Sequence, residues 1–542
     1  MPAEPLRPGR PAADVLGELH TLREADAPTR GGRTFAYVYD AGLDGLDELA
    51  AAAYSAFATV NGLDPTVFPS VARLENDLVG AALALLGGPA GAQGTFTSGG
   101  TESIMLAVKA ARDHARAERG VTAPQLVLPS TAHAAFHKAA HYLGVEPVVV
   151  PVDPVTFRAD ADAVAAALTD RTALVVASAP SYAHGVIDPV AEIAAAAAAR
   201  GVLCHVDACI GGWLLPHLRR AGRDVPAFDL SVPGVTSLSV DLHKYAYADK
   251  GASLVLYRSA ALRRHQYFAH AGWPGYPVVN PTVQGTKSGG LLAQAWAVLQ
   301  HVGDAGYTAL AGRVAEASDR LLDGLRVLDG VRVLGDPAAG LVAFTVHGGG
   351  PGDGPAVAAE GPAVLGEGPA VLGEGPTVLG GGPAVLGEGP EGPKGPAGGS
   401  SADLSLLLHL ADEMRARGWY LQPQLSFDGL PPNLHLTLTP ATVAQVPALL
   451  ADLADALETA RTLPPLAVDP ELAAFAAALD PDALTPDEVA GVLAFAGLDG
   501  SGGGLPERMG PVLVLLDALP GALKERLLAE FVGAVFQADT GS

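Results

Sequence analysis

The sequence predicts an α/β fold: a mostly parallel sheet covered by helices on both faces, followed by a smaller C-terminal α+β domain. Three observations predict it. Apolar runs of strand length alternate with Ala-rich helical stretches from Asn61 to about Tyr307, the pattern of strands joined by crossover helices. After Tyr307 the alternation gives way to one helix, two strand runs, a low-complexity interruption, and then further helix and strand signals. At 542 residues the chain is long enough to bury a large core and exceeds two average domains.

Residues 1–60 read as an extended arm followed by a helix over about 45–60. Residues 61–307 form the large domain, with strands at QLVLP (125–129), EPVVVPV (146–152), TALVVASA (172–179), GVLCHVD (201–207), SLSVD (237–241) and ASLVLYR (252–258). Helical periods lie between them, notably over 102–119 and 189–200. The small domain takes 308–346 and 403–462. It opens with a helix over about 310–327 and the strand runs RVLGD and LVAFTV. It resumes with a helix near 404–417, the strands GWYLQPQ and LHLTLTP, and a closing helix over 443–460. Between its halves, 347–402 carries a seven-residue unit (GPAVLGE and variants) whose Pro and Gly suit neither helix nor central strand. That segment is expected to be a disordered surface insertion. Residues 463–542 read as an appended helical tail with no assigned role.

Charge and cysteine content narrow the function classes. The formal net charge is −24, from 58 acidic and 34 basic residues, so the surface repels phosphate backbones and nucleic acid is not an expected partner. An anionic ligand must instead be met by local amides and a few placed cations. The two cysteines, Cys204 and Cys209, build neither a disulfide framework nor a thiolate metal cage. They suit a reducing cytoplasm. The N-terminal residues lack the apolar core of a signal peptide. The most apolar run, 193–199, is too short to span a bilayer, so a cytoplasmic protein without a transmembrane segment is expected.

In open α/β sheets ligands bind beyond the carboxyl ends of the strands, and four segments there carry chemistry. In GTFTSGGTESIM (94–105) a Gly-Gly turn precedes a helix whose first turn holds Glu102 and Ser103. Gly100 and Thr101 could offer amides to an anion, although such a turn is also common without a ligand. In LCHVDACIGGW (203–213) a strand ends on Asp207. A buried acid there needs a partner. A protonated pyridine nitrogen would suit it, and so would a turn that it caps. In SLSVDLHKYAYADKG (237–251) Lys244 follows an apolar strand, flanked by His243, with Lys250 as a second cation. Desolvation there would lower the amine pKa enough for imine formation; a lysine extending outward from a strand end is the plainer reading. In PSTAHAAFHKAAHYLG (129–144) His133 could stack on a flat ring, whereas His137 and His141 read as solvated helix residues rather than metal ligands.

Taken in order, these segments resemble the sphingosine-1-phosphate lyases and, more broadly, the pyridoxal-phosphate (PLP) dependent group II decarboxylases. The likeness starts at DPTVFPSVARLENDLV (64–79) and runs through SYAHGVIDPVAEIA, HVDACIGGW and DLHKYAYADKGASLVLYR. It ends at YFAHAGWPGYPVVNPTVQGTKSGG and the residues up to 307, returning at about 404–460. It implies the fold type I (aspartate aminotransferase-like) architecture. It further implies that Lys244 carries the cofactor through an imine, that Asp207 pairs with its ring nitrogen and that His133 stacks on the ring. Gly100, Thr101 and His243 would hold its phosphate. Gly285 and Thr286 would reach the active site of a neighbouring subunit, making the unit a homodimer with shared sites. Tyr182, His205, Lys250 and Lys287 are candidates for contact with a small-molecule amine substrate.

The implied reaction is cleavage of a phosphorylated amino alcohol to an aldehyde and an aminoalkyl phosphate. The alternative is decarboxylation of an acidic or aromatic amino acid on the same scaffold. The sequence departs from the lyase pattern at three places. It has Gly-Thr-Lys-Ser-Gly (285–289) where the lyases have Gly-Ser-Arg-Pro-Gly, Asp64 where they tend to have His, and Asp249 in place of a Pro. Lys287 keeps the charge of the arginine without its bidentate fork.

Overall fold

A computed structural model describes residues 9–348, 402–495 and 506–536. Its main sheet has seven strands: β1 (Gln93–Thr97), β2 (Gln125–Pro129), β3 (Glu146–Val150), β4 (Thr172–Ser178), β5 (Leu203–Asp207), β6 (Val235–Asp241) and β7 (Ser253–Tyr257). They lie in the order β1-β7-β6-β5-β4-β2-β3. Neighbours from β6 through β3 pair in parallel, while β7 runs antiparallel to both β6 and β1. β1 therefore points the same way as β6, and the carboxyl ends of β1, β2, β4, β5 and β6 share one edge. The central strands are covered on both faces. Every residue of β4 is buried, and each of its Val and Leu side chains contributes about 1.5–3 kcal/mol of transfer free energy.

A hairpin of β8 (Phe268–His270) and β9 (Val278–Asn280) follows the sheet. The helical run Gly289–Arg326 comes next, broken at Gly303, whose φ of 61° and ψ of 174° divide it in two. The sequence pattern had marked only its second half. The small domain carries an antiparallel sheet of β10 (Val331–Val333), β11 (Leu341–Val346), β12 (Gln422–Gln424) and β13 (Asn433–Thr437), in the order β10-β11-β13-β12. Its core joins Phe344, Leu434 and Trp419 to the helices Leu404–Ala416 and Val446–Arg461. The insertion expected at 347–402 lies almost wholly outside the described residues.

The N-terminal arm differs from expectation, because Ala12–Arg23 is a helix with no buried residue. Its Ala, Leu and Glu content favours helix without help from packing. Beyond it the chain threads into the small domain. Phe35, fully buried, donates its amide to Tyr420 O at 2.9 Å and accepts from Thr437 N at 2.6 Å. That crossing carries Tyr39 toward the edge where the strands end.

The tail folds as four helical segments, Pro470–Ala477, Pro486–Phe495, Gly510–Ala518 and Gly521–Val535, around Val489, Val512 and Leu523. It is clasped to the small domain by Asp412. This buried carboxylate accepts from the amides of Met509 (2.8 Å) and Gly510 (2.9 Å) at the start of a helix, where a negative charge is favoured.

Candidate active site

A cavity of about 370 Å³ opens at the shared carboxyl edge of the main sheet, within the size range of small-ligand sites. The segments following β1, β2, β4, β5 and β6 contribute to its wall. Ser98, Gly99, Gly100 and Thr101 come from the turn after β1, His133 from the loop after β2, and Pro180 and Tyr182 from the loop after β4. Asp207 and Cys209 come from the end of β5, and Asp241, His243 and Lys244 from the end of β6.

The turn after β1 leads into the helix Gly100–Arg119, whose first amides have no partner within the helix and face the cavity. A Cβ added at Gly100 would lie 2.7 Å from Cys209 Sγ and 2.9 Å from both Asp241 oxygens, so only glycine fits that contact. At Gly99 it would meet only His243 Cε1, at 3.8 Å. A side chain there would fill the gap between the turn and the imidazole, the gap an anion needs. His243 donates through Nδ1 to Ala252 O at 2.7 Å, which turns Nε2 toward the cavity. Burial lowers its pKa, partly offset by Asp241. A bound phosphate would favour the doubly protonated ring.

Asp207 is buried. Its Oδ1 accepts from Cys209 N at 3.1 Å and Ser239 Oγ at 3.4 Å, a set that leaves Oδ2 for a further donor. His133 is exposed at the opening, and its Nδ1 accepts from Ala135 N at 3.1 Å, which fixes the proton on Nε2. Tyr182 donates to Gln422 Oε1 at 2.5 Å and stacks on His435 at 4.3 Å, tying the wall to the small domain.

Lys244 departs from expectation in its electrostatics. Burial is the largest single influence and would lower its pKa, but Asp241, Tyr39, Cys209 and Asp207 together outweigh it, and the amine is raised above the ordinary lysine value. Its Nζ lies 3.0 Å from Asp241 Oδ2. Asp241 is held in turn by Ser253 Oγ at 2.6 Å and stands 3.6 Å from His243 Nε2. Burial would raise this carboxyl, yet Lys244 and His243 keep it below the usual value. Asp241 is a site residue that sequence reasoning passed over, although it lies three positions before the lysine in the segment singled out. Tyr39 was missed for a different reason, since it arrives from the arm and nothing local marks it.

Lys250 is exposed overall, but its amine leans in over the Tyr39 ring at 5.0 Å. Burial of that amine, with the Lys244 charge, lowers it to about 8. Two other expectations need correction. His205 is fully buried and does not line the cavity. It sits between Ser237 Oγ (2.8 Å) and Ser239 Oγ (3.2 Å), and burial holds it neutral with a pKa of about 4. Lys287 does not reach this cavity either. Its Nζ is ion-paired with both oxygens of Glu75 at 2.7 and 2.6 Å, beside a separate 690 Å³ cavity. Gly285 and Thr286 are exposed and lie outside this chain's own cavity, in a hollow with Leu63, Trp273 and Tyr276.

The residues present fit pyridoxal phosphate: an amine for the aldehyde, a carboxylate for the ring nitrogen, an imidazole for a ring face, and a turn with a histidine for the phosphate. Set on this sheet, they define the class, a PLP enzyme of fold type I. Residues 18–347 match the pyridoxal-dependent decarboxylase conserved domain, and the chain belongs to that family. Its cofactor is PLP. A sphingosine-1-phosphate lyase of Arabidopsis thaliana is 41% identical over 337 residues, 61% of this chain and 62% of that protein. The match therefore spans less than two thirds of that relative's length. The solved Burkholderia pseudomallei sphingosine-1-phosphate lyase superposes with a TM-score of 0.71 at 34% identity, covering 84% of this chain and 93% of that one. A protein described as a probable L-tyrosine/L-aspartate decarboxylase of Methanothermobacter thermautotrophicus is 34% identical over 307 residues, 56% of this chain and 81% of that protein.

Residues 470–534 match a C-terminal HTH domain of pyridoxal-dependent enzymes. Acidic residues there outnumber the basic Arg508, Lys524 and Arg526, so the segment carries no basic stripe of the kind that neutralises phosphate backbones. Among the described residues no helix is long and apolar enough to cross a membrane.

Proposed function

We propose that the protein is a PLP-dependent carbon–carbon lyase that cleaves a phosphorylated amino alcohol into an aldehyde and an aminoalkyl phosphate. The observation that carries the reading is a second cation, Lys250, off the cavity wall itself but near enough to Lys244 to feel its charge. Lys244 lies beside Asp241, and Lys250 stands over Tyr39, outside the cradle formed by Gly100, Thr101 and His243. One anion site serves the cofactor, and a second cation remains for a phosphorylated substrate. The 34% identity to the Burkholderia lyase over 93% of its length supports the same choice.

In this reading Lys244 holds the cofactor, Asp207 its ring nitrogen, His133 a ring face, and Gly100, Thr101 and His243 its phosphate. Bound there, the cofactor supplies an electron sink for the carbon bearing the substrate amine. The bond from that carbon to the hydroxyl-bearing carbon breaks. The hydroxyl proton leaves to a base as the aldehyde forms, and the amine-bearing carbon gains a proton. Lys244, kept cationic by Asp241 when its amine is free, is placed to give that proton. Tyr182, whose hydroxyl is fixed by Gln422, borders the reacting end. Lys250 orients the substrate phosphate, and His133 closes the mouth against water.

We also propose a homodimer. Leu63, Trp273 and Tyr276 share a hollow with Gly285 and Thr286, and they, with Val279 and Val283 of the same stretch of chain, are exposed apolar residues. A patch of this kind, carrying two residues that stand outside the Lys244 cavity of their own chain, suits a second copy supplying them across the interface. Both cysteines are free and buried, in keeping with a reducing, cytoplasmic setting.

The decisive experiment supplies the PLP-loaded protein with a phosphorylated sphingoid base and, in parallel, with a panel of amino acids, following long-chain aldehyde and CO2 together. Aldehyde is expected. CO2 from tyrosine, aspartate or glutamate without aldehyde would replace the lyase reading with the decarboxylase one, which the Methanothermobacter relative favours.

A further inference from the structure

Glu102 sits in the first turn of the helix that heads the cofactor cradle, is buried, and uses its two carboxylate oxygens in opposite directions. Oε2 accepts from Ser98 N at 2.7 Å, closing the anion-binding turn. Oε1 accepts from Val283 N at 2.8 Å and from Gln284 N at 3.3 Å, 181 and 182 residues away in sequence. Those two amides immediately precede Gly285 and Thr286. The segment is braced further by Thr282 Oγ1, which donates to Gln284 O at 2.8 Å, and by the Lys287–Glu75 pair. Glu75 Oε1 also accepts from Phe96 N at 2.9 Å in β1. Two carboxylates thus connect the strand and turn before one cofactor site to the exposed loop that carries Gly285 and Thr286.

We propose that Glu102 is a positioning residue coupling the two active sites of the dimer: it registers the turn around one chain's cofactor phosphate with the loop that chain lends to its partner. The proposal rests on the homodimer reading given above. A carboxylate suits the task because it can accept at both ends. Glutamine of the same shape has one accepting oxygen, and its NH2 would face an N–H at the other end. The location also favours a negative charge, since a helix N-terminus stabilises it and its bonds to amides are charge-assisted. With the strut intact, setting the turn on one side sets the loop on the other.

The test separates what Glu102 does for its own chain from what it does across the interface. Heterodimers are assembled from one unaltered protomer and one carrying Lys244→Ala, with or without Glu102→Gln. Only the unaltered protomer can then form the imine with PLP that borohydride traps, and its cavity receives the loop of the altered one. Cofactor affinity at that single competent site is expected to weaken roughly tenfold when the partner carries Glu102→Gln, the loss of one charge-assisted bond. Hydrogen exchange at Val283 and Gln284 should accelerate in the same protomer. Glu102→Asp, a methylene shorter and still charged, cannot span both loops and is expected to give the same loss, so the proposal remains testable if the glutamine variant does not fold.

Sedimentation reports the assembly alongside. A dimer whose competent site binds PLP equally well with either variant as partner overturns the strut and leaves the dimer reading standing. A protein that sediments as a monomer when saturated with PLP overturns both.

Discussion

The turn after β6 and the loop before Gly289 each bury a lysine against a carboxylate, and the two lysines come out electrostatically opposite. Lys244 meets Asp241 at one oxygen, with Tyr39, Cys209 and Asp207 nearby, and burial loses to the summed negative surroundings, so its pKa is raised. Lys287 meets both oxygens of Glu75 at hydrogen-bonding distance, yet burial is the stronger influence and its pKa is lowered. The first faces an open cavity and can exchange its partner for a ligand. The second also borders a cavity, of 690 Å³, but both oxygens of Glu75 clamp its amine. Both lysines are desolvated, paired and beside a cavity, so what separates them is the company on the wall: Lys244 shares its cavity with Asp207, His133 and His243, and Lys287 does not.

The largest effect that would sharpen this contrast is expected from Lys244→Ala. The variant should retain the fold but lose the borohydride-trapped PLP adduct and at least about 10³-fold in turnover. Mass mapping of the adduct checks the assignment, and a stable adduct on Lys250 or Lys287 in that variant would break the distinction drawn between these lysines. Next in size, Glu75→Gln should cost about 3–5 kcal/mol of stability by leaving the buried Lys287 charge uncompensated. Denaturant titration measures it, and replacing both partners together (Glu75→Gln with Lys287→Met) should recover most of the loss. Recovery would show Lys287 to be structural; a double variant that folds well but no longer turns over would return it to the active site.

The smallest expected effect concerns Lys250. With a pKa lowered to about 8, it is charged below that pH and loses its charge as pH rises through it. The KM for a phosphorylated substrate should therefore climb above pH 8 in the unaltered protein. Lys250→Met should raise KM about tenfold at pH 7 and remove that inflection. An inflection that persists in the variant assigns the titration to another group.

Much of the large domain was legible because its signals are local. Strands buried on both faces read as continuous apolar runs, and the helix starting at Gly100 announces itself through the Gly-Gly turn before it. Lys244, Asp207, His133 and His243 were legible for the same reason: each stands one loop beyond a strand, where an α/β sheet gathers its ligand-binding groups. The helix over 289–302 was less visible, because the break at Gly303 separates it from the periodicity of its second half. His205 misled because it lies two residues before Asp207, the residue that ends β5. Alternation along the strand allows it a polar role, but only the serines of β6 show that its ring is already engaged.

By itself the sequence determined the sheet and the family and singled out Lys244, since each is written in contiguous local segments. Only the tertiary structure decided that Asp241 sets the charge of Lys244, that Tyr39 arrives from the arm, that Lys287 belongs to Glu75, and that Glu102 reaches across to Val283. Glu75 and Lys287 are 212 positions apart and Glu102 and Val283 are 181 apart, while Asp241 and Lys244 are brought together by a turn whose geometry composition does not encode. Ionic and hydrogen-bonding energies fall steeply with distance and orientation, so a one-dimensional pattern identifies which groups are present while the fold alone chooses their partners.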